Sequence, residues 1–318
     1  MTNSQTTSKK VLVLYYTQSG QLNDVVQSVT APLVSAEGIE VTFECLQPVR
    51  DYPFPWPFLT FFDTFPETVY DDPAPIKALS GQLHGQRFDL VILAYQVWFL
   101  SPAQPMTAFL QSPEAKELLQ DTPVVTLIAC RNMWLMAQEK MKQHLDRLGA
   151  KLVDNIVLTD PAHSAATFFS TPMWVLTGNK GPFFNGLIPR AGVTQQDIDN
   201  ARRFGEAIAA QLPGREPTND TPMLQGLGAV TVNERLIASE RIASRSFHLW
   251  GGLLRALGKP GNPLRRIVLV AYIVFLVTMI LTVVPINALL KWLFAPLMRE
   301  HIARQRAYFS APSGEASQ

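Results

Sequence analysis

The fold is constrained most by a regular alternation of apolar, β-rich runs with amphipathic helical patterns through the first two thirds of the chain. The third run, FDLVILAY, is apolar nearly throughout, as expected for a strand that is covered on both faces. The predicted strands cover residues 11–15, 39–46, 88–95, 123–129 and 151–159, and the predicted helices cover residues 23–36, 103–110, 133–148 and 195–211. This order predicts a doubly wound parallel sheet, in which ligands bind beyond the carboxyl ends of the strands.

Two insertions interrupt this alternation, and the last third of the chain follows a different plan. The first insertion, YPFPWPFLTFFDTFPETVY, is dense in proline and aromatic residues, and the second is rich in Phe, Gly and Pro. The predicted organisation is a disordered N-terminus (1–9), an α/β domain (10–211) with insertions at 52–70 and 161–193, a polar linker (212–222), an amphipathic interfacial region (223–264), a hydrophobic membrane-anchoring helical segment (265–310) and a disordered tail (311–318).

Composition excludes several function classes. The net charge is +1 and no basic run carries interleaved aromatic residues, which argues against a nucleic-acid partner. Two cysteines, Cys45 and Cys130, suit a reducing compartment, and nothing in their spacing indicates a metal site. The polar start MTNSQTTSKK lacks the apolar segment of a signal peptide. We therefore expect the α/β domain on the cytoplasmic side of the cell membrane.

The loop TQSGQ follows the first predicted strand and has the composition of an anion site. Thr17 and Ser19 offer hydroxyl groups, and Gly20 allows the backbone to approach a ligand closely. Amide N–H groups at the start of the next helix point the same way, so no lysine is needed. The loop lacks the Gly-Lys-Ser/Thr end of a Walker loop and the three glycines of a dinucleotide fingerprint. A phosphate monoester on a small cofactor fits best, and an ordinary capped turn is the alternative.

The segment YQVWFLSPAQPMTAFL follows the third predicted strand and suggests a wall for a flat heterocycle. Trp98 and Phe99 leave the strand end directly, where a ring could stack. Gln96, a polar residue beside these aromatics, suits a binding site better than a core. Core packing of Trp98 is the alternative.

Together these motifs resemble the flavodoxin-like fold in its FMN-dependent flavin reductase and NAD(P)H:quinone reductase branch, over about residues 10–211. In that branch a Thr/Ser-x-Thr/Ser-Gly-x-Thr loop binds the FMN phosphate, and here Leu22 replaces the final hydroxyl. The loop after the fourth strand borders the flavin in that branch. The resemblance therefore implies FMN as cofactor. The implied FMN-binding residues are Thr17, Gln18, Ser19, Gly20, Gln21, Leu22, Gln96, Val97, Trp98, Phe99, Arg131 and Asn132.

A closer resemblance extends nearly end to end. The segments LAYQVWFLSPAQP, IACRNMWLMAQEK and GKPGNPLRRIVLVAYIVFLVTMILTVVPI, with the first insertion, are similar to flavodoxin-like dialkylresorcinol condensing enzymes. In such pathways a ketosynthase joins two acyl chains, and an aromatase oxidises the resulting alkyl-substituted cyclohexanedione to a dialkylresorcinol. This resemblance implies a flavin-dependent oxidoreductase of the aromatase type, since a flavin carries that chemistry itself.

The residues argue against condensation chemistry. A thioester-condensing enzyme needs a cysteine paired with a histidine base, and nothing in the sequence pairs Cys130 with a histidine. Arg131, next to Asn132, is a candidate cation beside the flavin or a substrate carboxylate, with a surface salt bridge as the alternative. Tyr95, His163 and Tyr16 are weaker candidates for proton transfer.

The carboxy-terminal part indicates membrane attachment. Residues 267–290 carry no charge, and at about 1.5 Å per residue they reach about 36 Å, enough to cross a ~30 Å hydrocarbon core. Arg265, Arg266, Lys291 and Trp292 flank the run as interfacial anchors. Upstream, Phe247, Trp250, Leu254 and Leu257 predict a helix face in the headgroup region. A single crossing and a re-entrant hairpin bent at Pro285 both remain open.

The two ends of the chain combine into one hypothesis. The first loop holds FMN, the tail brings it to a lipophilic substrate in membrane lipid, and the first insertion lines the way between them. The alternatives are an NAD(P)H:quinone reductase-like flavoprotein and a non-catalytic membrane scaffold for a ketosynthase. We also expect a homodimer, and the first insertion could be its contact.

Overall fold

The centre of the molecule is a five-stranded parallel sheet, seen in a computed structural model that describes residues 8–162, 164–216, 218–294 and 299–314. Its strands are β1 (Lys9–Tyr15), β2 (Ile39–Cys45), β3 (Leu90–Tyr95), β4 (Pro123–Cys130) and β5 (Lys151–Thr159). They lie in the order β2-β1-β3-β4-β5, the order of a flavodoxin-like doubly wound sheet. The predicted fold class and all five predicted strands are confirmed.

Helices cover both faces of this sheet. They are α1 (Gln21–Ser35), α2 (Phe58–Asp63), α3 (Phe65–Val69), α4 (Gln104–Leu110), α5 (Pro113–Leu119), α6 (Leu135–Leu148), α7 (Ser164–Thr177), α8 (Gln195–Asn200), α9 (Arg202–Gln211), α10 (Glu234–Ala256), α11 (Pro263–Phe294) and α12 (Arg299–Ser310). One core lies under α1 and α9, and the other lies under α4, α5 and α6. Alternating strand residues fill the two cores, as the period of a strand requires.

The predicted helices are present with small changes. The predicted helix 195–211 consists of α8 and α9, which meet at Ala201 without leaving helical backbone angles. Gly205 permits the close crossing of α9 over α1, because a Cβ there would lie 1.8 Å from the Val29 carbonyl oxygen. Helix α5 was not predicted, although Ser112 caps it and Pro113 opens it, a usual start signal.

The carboxy-terminal third packs back on the α/β domain. The fully buried carboxylate of Asp154 in β5 accepts hydrogen bonds from the Met223 and Leu224 amides. Beyond α12, the buried hydroxyl of Ser313 donates to Asp154 at 2.8 Å and accepts from the Asn155 amide at 2.6 Å. At Ser313 the predicted disordered tail is therefore ordered. The division at 212–222 stays a prediction, and contacts across it are extensive.

Helix α10 turns its aromatic face toward protein. Phe247 and Trp250 contact the ring of Tyr272 in α11, and Leu254 is fully buried in the same cluster. The face that we expected in the headgroup region therefore packs on α3 and α11. Helix α11 differs, because its segment Pro263–Thr282 has a mean hydropathy of 2.3 and only 22% of it is buried. One helix in the described chain is thus long and apolar enough to cross a membrane.

Candidate functional site

A cavity of about 190 Å³ opens at the carboxyl edge of the sheet. The loops that follow β1, β3 and β4 form it, as expected for a ligand site in a doubly wound sheet. Both insertions close it from above, with Phe54, Trp56 and Phe61 from the first and Trp174 from α7 of the second. The predicted site loops therefore meet at one place.

The loop after β1 leaves polar groups without partners. The Thr17 hydroxyl oxygen is buried and has no hydrogen-bond partner among the described residues. Gly20 has a φ of 85° and opens α1, and no side chain caps the amides of this helix. A Cβ on Gly20 would meet nothing within 4 Å, so the space above this turn is open. An orphaned hydroxyl beside an uncapped helix start fits the phosphate of a small cofactor.

Three other residues of this loop also hold the surrounding structure together. The amide of Gln21 is buried and exchanges two hydrogen bonds with the Val193 backbone, so it holds the second insertion. Gln18 donates to the Pro53 carbonyl at 3.0 Å and holds the first insertion. Leu22 is buried in the core under α1 and also lines the cavity. Ser19 lines the cavity.

The loop after β3 supplies the aromatic wall. Trp98 lines the cavity and contacts the rings of Tyr16, Tyr52 and Trp56 edge-on, with centroids 6.0, 5.0 and 5.7 Å away. It is half-buried, so it serves as cavity wall and as packing at once. Gln96, Val97 and Phe99 line the same cavity.

The backbone of this loop is strained. Phe99 and Leu100 connect two short antiparallel segments, Val97–Trp98 and Ser101–Pro102, and both have positive φ angles, 49° and 60°. Large side chains rarely adopt this conformation, and tight hairpins of this kind usually contain Asn or Gly. The Phe99 ring contacts those of Phe61 and Phe65, whose centroids lie 5.0 and 5.7 Å away.

Arg131 is the only positively charged residue described around the cavity. Its guanidinium lies over the Phe168 ring, 4.0 Å from the centroid, and donates to the Met133 sulfur. Burial lowers the pKa of Arg131 to about 10, so it stays charged at neutral pH. The salt bridge weighed as its alternative role is not found among the described residues. Asn132 is half-buried in the same loop, away from the cavity lining.

A buried carboxylate, unforeseen in the sequence, lies behind this loop. Glu240 of α10 is fully buried, and its Oε2 accepts from the Met136 amide in the first turn of α6 at 3.2 Å. Its Oε1 has no partner among the described residues. Burial raises the pKa of Glu240 to about 8, although the α6 amides and the Arg131 charge oppose the shift. Sequence spacing could not indicate it, because 240 and 136 lie on separate helices.

The structure separates the other candidate catalytic residues. Tyr95 lies in the core instead of at the cavity, and its hydroxyl donates to Gln138 at 2.6 Å. Burial raises the pKa of the Tyr16 hydroxyl, which makes Tyr16 a poor proton donor or acceptor at neutral pH. His163 lies outside the described residues. None of the three predicted proton-transfer roles gains support from the described contacts.

Cys130 lines the cavity, but it lacks the surroundings of a nucleophile. Burial, reinforced by the Glu240 charge, raises the pKa of its thiol, whereas a nucleophilic cysteine needs a lowered one. His144 of α6 faces Asp71 instead, with its Nε2 3.9 Å from the Asp71 Oδ2. The described residues contain no cysteine–histidine pair at this site, which favours the structural interpretation of Cys130.

Asp160 and α7 are parts of the site that the sequence did not reveal. The buried Asp160 follows β5 and accepts from the Ala162 and Gly192 amides at 2.9 and 2.8 Å, which ties together the two ends of the second insertion. Thr171, Trp174 and Val175 of α7 line the cavity. Their spacing of three and four residues is the helical signal that could have identified this wall.

No protein-family model matches the chain, and no curated protein sequence is similar to it. Among solved structures it is similar to a flavoprotein in complex with FMN from Lactobacillus acidophilus NCFM (16% identity, 47% of this chain, 93% of that chain, TM-score 0.37). It is also similar to a flavodoxin, WrbA-like protein from Agrobacterium tumefaciens (10% identity, 66% and 100% covered, TM-score 0.38) and to flavodoxin 1 from Bacillus cereus (12% identity, 65% and 99% covered, TM-score 0.34). Because these similarities are low, the fold assignment rests on the strand order.

Proposed function

We propose that the protein is a membrane-associated, FMN-dependent oxidoreductase that oxidises an alkyl-substituted cyclohexanedione to a dialkylresorcinol. One observation carries the proposal. The loop that carries the orphaned Thr17 hydroxyl and leads into the uncapped start of α1 lines a cavity through Gln18 and Ser19, and the β3 loop and both insertions supply the aromatic wall of the same cavity. The flavoprotein names of the similar structures are consistent with this proposal but do not carry it.

The residues of the cavity fit FMN. The Thr17 and Ser19 hydroxyls, with the first amides of α1, would bind the phosphate, and Trp98 and Phe99 would flank the ring system. When bound, FMN supplies an acceptor for the two electrons and one proton that leave the substrate as a hydride. Arg131 would hold positive charge at the edge of this site, where it would stabilise the enolate form of the substrate.

The proposed reaction also releases a proton, and the cavity has no strong base among its described lining residues. The titratable groups among the described residues that line the cavity are the neutral Cys130 thiol and the charged Arg131 guanidinium. A cyclic 1,3-dione loses a proton readily, because its enolate spreads the charge over two oxygens. Such a substrate suits a site that orients the substrate and excludes water without supplying a carboxylate or imidazole base.

A continuous series of aromatic contacts supports a lipophilic substrate. From Trp98 at the cavity, ring centroids follow one another through Trp56, Phe61, Phe99 and Phe65 to Tyr272 of α11, at successive distances of 5.7, 5.8, 5.0, 5.7 and 4.9 Å. These residues of the first insertion thus connect the cavity with the apolar helix. Alkyl chains of the substrate would lie along this path.

The test starts with the purified full-length protein. We expect flavin absorbance, FMN on extraction, and bleaching of the flavin when a dialkyl cyclohexane-1,3-dione is added without oxygen, with one resorcinol formed per flavin. Turnover of NAD(P)H with a quinone, without dione oxidation, would instead identify a quinone reductase. Absence of flavin binding even after reconstitution would favour the scaffold. The homodimer and the ketosynthase partner remain predictions.

A further inference from the structure

The start of α11 is fixed to the α/β domain by a fully paired buried arginine. Arg265 donates through Nε to Asp63 at 2.7 Å, and through its two terminal nitrogens to the Glu67 carboxylate at 2.7 Å each. Further bonds run to the Asp63 and Gly258 carbonyls. This network joins α11 to α2 and α3 of the first insertion.

The chain beyond α11 returns to the same domain. In α12, the Tyr308 hydroxyl donates to Glu139 of α6 at 2.7 Å, and Phe309 is buried in the core beside α6. Arg306 pairs with Glu234 of α10 at 3.4 Å. Together with Ser313 on β5, these contacts place both flanks of α11 on one body.

Covalent geometry then limits where α11 can end. Five Cα steps join Phe294 to Arg299, and they bridge at most about 18 Å. Along α12, Arg306 lies about 10 Å from Arg299. The end of α11 therefore lies within about 28 Å of a residue that is bound to the domain.

A transmembrane path is incompatible with this return. If α11 crossed the bilayer, the short segment through α12 would have to cross back. Helix α12 carries Glu300 and Arg304, whose side chains are 92% and 79% exposed and would face hydrocarbon. Charged side chains at the bilayer centre are strongly unfavourable.

The exposed face of α11 is nevertheless apolar. The buried side contains Arg265, Leu269, Tyr272 and Ile273, at helical spacing. The opposite side is exposed and includes Ile267, Val270, Val274, Val277 and Leu281. The exposed Thr278 and Thr282 donate their hydroxyls to carbonyl oxygens of the same helix at 2.8 and 2.7 Å. A helix on the surface of a soluble domain would carry polar residues there, and Arg266 and Lys259 lie exposed at its base, where anionic headgroups would meet them.

We infer that α11 lies within one leaflet of a lipid bilayer and does not cross it, so that both chain termini stay on the side of the α/β domain. The inference rests on the proposed membrane role and deepens it. The aromatic contacts that connect the cavity with Tyr272 would then end at the part of the molecule that lies in lipid.

This arrangement can be tested in the full chain by determining on which side of the membrane each terminus lies. We would place one epitope tag at each terminus, express the protein in bacteria and prepare inverted membrane vesicles, whose cytoplasmic face points outward. Added protease should remove both tags without detergent. Protection of one tag until detergent is added would overturn the inference while leaving membrane attachment intact. Absence of the chain from the membrane fraction would overturn both.

A matched pair of variants tests the occupant of the exposed face. Val274 and Val34 are 61% and 57% exposed, and Val34 lies on α1, remote from α11 in the sequence. Flotation with phosphatidylcholine–phosphatidylglycerol vesicles should weaken at least tenfold for Val274→Lys and stay unchanged for Val34→Lys. A lipid-free dimer that Val274→Lys dissociates, with no flotation of the unmodified chain, would identify a second copy as the occupant and overturn the inference.

Discussion

Helices α10 and α11 are neighbours that both carry large apolar side chains, yet they place them in different surroundings. α10 buries Phe247, Trp250 and Leu254 against protein, whereas α11 buries one stripe and exposes another that is equally apolar. Each also buries an ionisable side chain. Arg265 of α11 is paired on every donor group, while Glu240 of α10 leaves one oxygen without a described partner.

This difference shows that an aromatic helix face does not by itself identify a lipid contact. The α10 face resembles an interfacial helix in sequence, but the first insertion supplies Phe65 as its partner. For α11 the apolar residues surround the helix, so protein can cover only part of them. On the single-leaflet inference, apolar residues all round the helix, rather than an apolar stripe, are what distinguishes the lipid-facing helix from α10.

The largest effect should follow the loss of Arg265. Arg265→Ala leaves Asp63 and Glu67 without their shared cation, and breaking such a buried pair costs about 3–5 kcal/mol. We expect that loss in the free energy of unfolding, measured by urea denaturation in mild detergent. Arg255→Ala is the control, because its pair with Asp72 is exposed and such pairs contribute at most about 1 kcal/mol. Equal losses in both variants would contradict the comparison.

The next effect concerns the cofactor end of the molecule. Thr17→Val removes an orphaned hydroxyl, so the apo protein should keep its stability. A hydrogen bond to a charged phosphate contributes about 1.5–3 kcal/mol, so we expect FMN affinity to fall about 10- to 150-fold in a fluorescence titration. Thr30→Val, at a buried threonine within helix α1, is the control and should keep its affinity. Unchanged affinity in Thr17→Val would place the phosphate elsewhere.

Much of the α/β domain could be predicted from the sequence, because apolar periodicity reports burial within one element. The five strands and the loops after β1, β3 and β4 follow from that pattern, and these loops do meet at one cavity. Tyr95 shows the limit. Its position at a strand end suggested the site, but the alternation of side chains directs it to Gln138 in the core.

Pairings between distant segments could not be predicted. Glu240 with Met136 and Ser313 with Asp154 join parts of the chain separated by 104 and 159 residues. A polar residue on a helix has the same local pattern whether it faces solvent or a buried partner. The polar tail therefore suggested disorder, while in the structure it returns to β5.

Docking of the tail gives a smaller, local prediction. Ser313→Ala removes the donor to Asp154 and leaves the Asn155 amide without an acceptor, so we expect a loss of about 1–3 kcal/mol in unfolding free energy. Ser310→Ala is a suitable control, because that hydroxyl bonds only within α12 and is not fully buried. Equal stability of Ser313→Ala and the parent would show that the tail is not held on β5 and would weaken the single-leaflet inference.

The last effect, spread over several pH units, concerns the half-paired carboxyl group of Glu240 in α10. Burial raises the pKa of Glu240 to about 8, well above its ordinary value of 4.5, so between these values the native state holds a proton that the unfolded chain has released. Stability should therefore fall as pH rises from about 4.5 to about 8, by roughly 1 kcal/mol per unit, and the dependence should end above that range. Glu240→Gln keeps the shape without the charge, so its melting temperature should lack this component of the decline.

The control for this pH dependence is Glu234, an exposed residue in the first turn of the same helix α10. Glu234→Gln removes a carboxylate whose side chain is 42% exposed and whose partner, Arg306, is exposed as well. Its melting curves should keep the pH dependence of the parent protein. If Glu240→Gln and the parent lose stability in parallel from pH 5 to pH 8, then water or a cation satisfies the second oxygen of Glu240. The buried ionisable groups of α10 and α11 would then be equally well paired, and the contrast between the two helices would reduce to their apolar faces.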